Sequence, residues 1–251
     1  MPAPIAVQLY SLREALQVDP EPVFRRLAET GFVGVETYRG LDASMTVRLC
    51  RKYGLEICSA HLPPPVGDDT QPSIDLAVQL GIKKLIVPYM PPETFASVAS
   101  IKRLCDTLNE AGRLLLQHGF EFGYHNHWFE PALVDGRTGL DIMREHLLPD
   151  IFFEVDTYWV QTAGQDAATV VRDLGARARM LHIKDGPASS IEAPMVAAGK
   201  GVMDIPGILA VAQPEWIIVE LDRCATDMMT AVIESYRYLV ASGLASGRAK
   251  A

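Results

Sequence analysis

Short apolar runs recur along the chain at a spacing of roughly thirty residues, and helix-like stretches separate them. Ile5–Leu9, Val33–Thr37, Glu56–Ala60, Lys84–Val87, Glu121–His125, Ile151–Asp156, Met180–Ile183 and Ile217–Leu221 read as strands. The helices between them carry recognisable ends. Asp19 is placed to cap a first turn that holds Pro20 and Pro22, and the helix runs to Thr30 with Gly31 as its stop. Further helices are predicted from Asp42 or Ser44 to near Tyr53, from Ser73 to Leu80, and from about Pro92 to His118. Others are predicted from about Gly139 to Leu147, over Asp166 to Leu174, near Pro206 to Ala212, and from about Thr226 to Val240. Residues 63–69, with three consecutive prolines, and 186–204 read as loops, and 241–251 as a frayed tail.

About eight strand–helix units predict an α/β fold, a single (β/α)8 TIM barrel. The chain, residues 1–251, is then one domain whose barrel covers about residues 4–240. An open doubly wound sheet would want a glycine-rich turn after the first strand. Tyr10-Ser11-Leu12-Arg13-Glu14 stands there instead, and no G-x-G-x-x-G or P-loop occurs.

Composition narrows the partners. The chain is 49% hydrophobic and 22% charged, with a net charge of −8. No Lys/Arg run exceeds Lys83-Lys84, which argues against nucleic acid and for small molecules. No apolar run approaches the ~20 residues that span a bilayer. Met1-Pro2-Ala3-Pro4 lacks a basic leader segment. Cys50, Cys58, Cys105 and Cys224 form no C-x-x-C pair and read as reduced, mostly buried thiols. These features lead us to expect a cytoplasmic protein with no membrane contact; a homo-oligomer is compatible with them.

Candidate chemistry gathers at the strand ends. Residues i and i+2 of a strand share a face, so His125 and His127 project together, as do Glu154 and Asp156. Glu36, His61, His182, Lys184, Glu220 and Asp222 also fall at the C-terminal ends of predicted strands. In barrels that end carries the active site. A barrel mouth filled with carboxylates and imidazoles would bear large desolvation costs without a partner, and a divalent cation removes that difficulty. Mixed nitrogen and oxygen donors suit Mn²⁺, Co²⁺, Zn²⁺ or Fe²⁺ better than Ca²⁺.

Several motifs carry a resemblance. Tyr124-His125-Asn126-His127, Asp156-Thr157-Tyr158-Trp159, His182-Ile183-Lys184-Asp185, Gly199-Lys200-Gly201-Val202-Met203-Asp204-Ile205 and Val219-Glu220 resemble the xylose-isomerase-like barrel superfamily. That group holds sugar phosphate isomerases/epimerases, ketose 3-epimerases, inosose dehydratases and endonuclease-IV-type enzymes. The opening Val7-Gln8-Leu9-Tyr10-Ser11-Leu12-Arg13 is similar too, and the resemblance covers about residues 4–240.

In the epimerases a Glu, an Asp, a His and a second Glu from strands five to eight hold the metal. The resemblance places Asp156, His182 and Glu220 in the last three roles. The first role falls on His125, a departure that resembles the His-rich fifth strand of inosose dehydratases. Glu220 is then expected as both ligand and base, and the opposing proton carrier is His125, His127 or Glu154. Glu154 is alternatively a ligand or lies one layer deeper. The endonuclease pattern fails, because Trp159 stands where a ligand His is expected and the later Asp-x-His is missing.

The implied activity is a divalent-metal-dependent isomerase or epimerase acting on a sugar or keto-sugar. Removal of an α-proton leaves an enediolate that the metal stabilises. Dehydration or lyase chemistry on a keto-sugar shares that half-reaction, and a non-catalytic sugar-binding protein is a further alternative. Glu36, His61 and Trp159 are candidates for binding the sugar. Lys184 is placed to steady an oxyanion or to pair with Asp185 or Glu220. Trp128, Phe129 and Tyr158 offer aromatic faces. Gly186 and Gly199-Lys200-Gly201 make only a thin phosphate site, which favours an unphosphorylated substrate.

Overall fold

The computed structural model describes residues 2–248. Eight strands close in chain order into a parallel barrel. They are β1 (Ile5–Gln8), β2 (Gly34–Tyr38), β3 (Glu56–His61), β4 (Lys84–Val87), β5 (Glu121–His125), β6 (Phe152–Asp156), β7 (Ala178–Ile183) and β8 (Trp216–Val219). Ile5 pairs with Ile217, so β8 closes on β1 and no barrel edge is left open.

Period-2 alternation fills the barrel in layers. Ala6, Cys58, Ile86, Phe152, Met180, Trp216 and Ile218 form an apolar lower layer, distinct from the larger core between strands and helices. Two glycines make room for its largest members. A Cβ at Gly123 would lie 2.5 Å from the Phe152 ring, and one at Gly34 would lie 3.1 Å from the Trp216 ring. Two residues further along the same strand faces come Gln8, Glu36, His125, Glu154 and His182, all buried. The next step brings Asp156, Lys184 and Glu220 to the mouth. The other barrel end is laced by ion pairs: Lys84 with Glu121 and Glu215, and Arg179 with the same two carboxylates.

Several elements go beyond the sequence pattern. A 3₁₀ turn, Leu9–Leu12, and a helix, Arg13–Val18, follow β1 directly. A two-stranded hairpin, Leu133–Val134 with Arg137–Thr138, interrupts the passage from β5 to the helix Gly139–His146. The helix Thr157–Thr162 starts on the last residue of β6, with Asp156 as its cap. Fraying from 241 onward is not what the backbone shows. Ser246 accepts the Ile5 amide at 3.0 Å, Ala245 is buried, and Arg248 donates to Gly31 O and Tyr53 O. Residues 249–251 lie outside the described residues. Among the described residues no helix is long and apolar enough to cross a membrane. Cys50, Cys58 and Cys105 are buried free thiols, and Cys224 is half-buried.

Candidate metal centre

The strand ends are tied to one another before they meet any ligand. Asn126, just after β5, accepts the Asp156 amide at 3.0 Å and donates to Asp156 O at 3.3 Å. Thr157 donates to His182 O at 3.0 Å. Asp156 spends Oδ1 on the Trp159 amide, 2.9 Å away, as helix cap. Its Oδ2 is left buried with no aligned donor.

One donor atom each from His125, Asp156, His182 and Glu220 lies within 4.8 Å of the other three. His182 Nδ1 is 2.7 Å from Glu220 Oε2, and His125 Nε2 is 4.0 Å from Asp156 Oδ2. Lys184 Nζ stands beside them, 2.8 Å from both Asp156 Oδ2 and Glu220 Oε2, and hydrogen-bonds Asp222 Oδ2 at 2.6 Å. His61, His125, Glu154 and His182 make a second, deeper group that meets the same distance criterion. The buried Asp156 Oδ2, 2.8 Å from the Lys184 ammonium but without an aligned hydrogen bond, and the mixed N/O donors fit a divalent transition cation.

The charges follow from this crowding. Burial pushes the Asp156 carboxyl up to about 6, against the pull of Lys184. Burial would raise Glu220 as well, but Lys184 and His182 more than offset it and hold it well below the usual range. For Lys184, three carboxylates outweigh burial and keep the amine charged. Burial lowers His125 to about 3, with the neighbouring His182 adding to the effect. Burial also carries His127 well below its ordinary value. His182 moves the other way, because Glu154, Glu220 and Glu36 together outweigh burial.

A cavity of about 550 Å³ opens above the group. His61, His125, His127, Trp159 and Glu220 line it, together with Tyr10, Tyr38, Tyr89 and Trp128. Glu36 and Glu154 do not. Both are fully buried beneath the imidazoles, Glu36 against Gln8 and Ser59, and Glu154 against His61. Tyr158 is buried and holds the Ala188 amide at 3.1 Å, and Phe129 packs on Phe95 and under His127. His127 Nδ1 and Trp159 Nε1 are buried without partners.

Two features escaped the sequence reading. Glu130 is buried behind the β5 turn, accepting the Tyr124 hydroxyl at 2.9 Å and the His127 amide at 2.8 Å. Its place just beyond the Tyr-His-Asn-His segment, three residues past His127, was the available signal. The tyrosine rim had none, since Tyr10, Tyr38 and Tyr89 follow or end three different strands and share no sequence spacing.

Residues 24–239 match the family model described as xylose isomerase-like TIM barrel. The chain belongs to that family. Among curated relatives, this xylose isomerase-like barrel is 25% identical over 182 residues to inosose dehydratase of Mesomycoplasma hyopneumoniae (strain 7448). That match covers 63% of this chain and 60% of the relative, so it spans under two thirds of the relative's length. A sugar phosphate isomerase/epimerase from Parabacteroides distasonis ATCC 8503 superposes with a TM-score of 0.82 at 23% identity, covering 98% of this chain and 96% of that one. The IOLI protein, whose structure holds a zinc atom, superposes with a TM-score of 0.70 at 12% identity, covering 96% and 97%.

Proposed function

We propose that the protein is a divalent-metal-dependent isomerase or epimerase of a sugar or keto-sugar. The convergence of His125, Asp156, His182 and Glu220 donors at the floor of a sugar-sized-or-larger cavity carries this reading. His125, Asp156, His182 and Glu220 would hold the cation, of which Mn²⁺, Co²⁺ and Zn²⁺ fit the donors. The cation would supply Lewis-acid stabilisation of the negative charge that develops as the α-proton leaves.

The chain's own groups do the rest. Glu220 is ionised, faces the cavity and is placed to take the proton. Lys184 holds a positive charge beside it for the developing oxyanion. His127 is neutral, with one nitrogen unpartnered, and serves as the opposing proton carrier. Glu154 is walled off from the cavity by the imidazoles, which leaves that role to His127. His61 and Trp159 contact the substrate, and the rim aromatics stack on its apolar faces.

The substrate is unphosphorylated in this reading. The amides of Gly186, Gly199, Gly201 and Met203 form the kind of cradle that binds phosphate, but they converge on the Asp185 carboxylate at 2.8–3.1 Å. The cradle carries its own anion.

Dehydration of a keto-sugar is the second reading, favoured by the similarity to inosose dehydratase. One experiment tests both. Purified protein is assayed for bound metal by plasma mass spectrometry, then incubated with ketoses and keto-inositols in deuterated water. About one divalent ion per chain is expected, with deuterium entering the α-carbon of the right substrate. Loss of water would select dehydration. No uptake of Mn²⁺, Co²⁺ or Zn²⁺ would overturn the mechanism.

A further inference from the structure

The deeper ring of polar residues is left unused by that chemistry, although its hydrogen bonds are as short as those among the donors above it. Glu36 Oε1 accepts Gln8 Nε2 at 2.8 Å and faces His182 Nε2 at 2.8 Å. Its Oε2 accepts the Ser59 hydroxyl at 2.6 Å. All four side chains are buried, so each of these bonds forms in a low dielectric and is costly to leave unmade.

His182 is thus pulled from two directions. Nε2 points down to Glu36, with Glu154 Oε2 at 3.2 Å beside it. Nδ1 points up to the donor group, 2.7 Å from Glu220. A neutral imidazole has one N–H and one lone pair, and the hydrogen bond at one nitrogen decides which is which. A carboxylate that accepts from Nε2 leaves the Nδ1 lone pair free for a cation and makes it more basic.

We infer that Glu36, clamped by Gln8 and Ser59, is a positioning residue that fixes His182 with its proton on Nε2 and its lone pair on Nδ1 aimed at the cation. This rests on the cation-binding reading of the mouth. It assigns the strand-two carboxylate to the metal rather than to the sugar. Glu36 reaches the metal only through His182, and its position below the cavity floor keeps it from the substrate. Glu154 Oε2 lies 3.2 Å from His125 Nδ1 but is not aligned for a hydrogen bond, so His125 has no equivalent clamp.

The test uses the full chain loaded with Zn²⁺ for spectroscopy and with Co²⁺ for affinity. Long-range proton–nitrogen correlation spectra should show His182 protonated on Nε2 and ligating through Nδ1. Glu36→Gln and Glu36→Leu should weaken Co²⁺ binding by about 10- to 100-fold and alter the visible Co²⁺ spectrum. Ser59→Ala, a milder change, should shift both in the same direction and guards against a Glu36 variant that fails to fold. Unfolding of the metal-free Gln variant should stay near that of the unaltered protein. A change in metal-free stability with Co²⁺ affinity untouched would reduce Glu36 to a structural role and overturn the inference alone. So would two zinc ions per chain with one on His182 Nε2. An unaltered protein that takes up no cation would instead remove the proposed function, and this inference with it.

Discussion

Gly201 packs so closely on Asp185 that a Cβ added there would lie 2.1 Å from the carboxylate Oδ1 and 2.3 Å from the Gly186 amide nitrogen. The loop after β7 is wound around that carboxylate. Asp185 accepts four backbone amides, and no side chain at 201 fits without moving it. Gly201→Ala should therefore destabilise the fold by about 1–3 kcal/mol, the usual cost of overpacking. Asp185→Ala should cost more, since several amides lose their acceptor at roughly 1–3 kcal/mol for each that stays buried and unpaired. Urea unfolding of both variants checks the order. If Asp185→Ala proves the milder change, the carboxylate does not organise the loop.

Lys184 sits among three carboxylates, so its removal has two opposing effects. Without a cation, Lys184→Met leaves Asp156 and Glu220 facing each other with no positive charge between them. Breaking a buried pair of this kind costs about 3–5 kcal/mol. With a cation present, the ammonium no longer competes for the same oxygens. The variant should melt well below the unaltered protein when metal-free and recover a larger share of its stability when Mn²⁺ is added. Thermal unfolding with and without Mn²⁺ measures both. Equal melting points for the two metal-free proteins would show that the lysine contributes nothing to the site.

The barrel and the clustering of polar residues at one of its ends were legible because both depend on local rules. Alternation in β6 and at β7 turns both Phe152, Glu154, Asp156 and Met180, His182, Lys184 to the barrel interior. The order of an apolar layer, a buried polar layer and a polar mouth can be read from those triplets. What period 2 does not show is depth. Glu154 and Asp156 follow one another along a single strand, but which of them stands level with the imidazoles of the neighbouring strands is set by strand stagger around the closed barrel. The same limit applied to Glu36, whose partners Gln8 and Ser59 come from neighbouring strands. The helix Thr157–Thr162 went unseen because the last residue of β6, Asp156, is itself the helix cap, so no loop separates strand from helix. The packed segment 242–248 has no periodicity at all; it is ordered by strand-like bonding of Ser246 to Ala3 and Ile5.

Glu130 gives a pH dependence with a definite sign. Burial raises its carboxyl to about 8, against the hydrogen bonds it accepts from its own amide, the His127 amide and Tyr124. The folded chain then holds a proton that the unfolded chain releases near 4.5. This contribution is fully present below about 4.5 and is lost as pH rises to about 8. Glu130→Gln keeps the shape and cannot ionise. Its carbonyl can take the His127 amide while its NH₂ faces the Tyr124 hydroxyl. Relative to the unaltered protein it should gain about 1.4 kcal/mol per pH unit across that window and level off above it. Urea unfolding at stepped pH values measures the difference, and a constant offset would mean that Glu130 is ionised throughout.

His125 and His127 are separated by one residue, yet they have different surroundings, and the proposed function gives them different duties. His125 belongs to the donor group and is buried, whereas His127 faces the cavity, stacks on Phe129 and keeps a nitrogen unpartnered. The two alanine variants should therefore fail in different assays. His125→Ala removes one of the four donors and should lower cation uptake, and Co²⁺ titration would read the loss directly. His127→Ala should bind the cation as the unaltered protein does. Its loss should appear in proton transfer, where removing a positioned acid or base slows the step by about 10²- to 10⁴-fold. Solvent deuterium exchange into the substrate, measured beside Co²⁺ affinity for both variants, separates the two duties. A His127 variant that loses the cation would place that side chain among the ligands. A His125 variant that keeps the cation would leave Asp156, His182 and Glu220 to hold it alone.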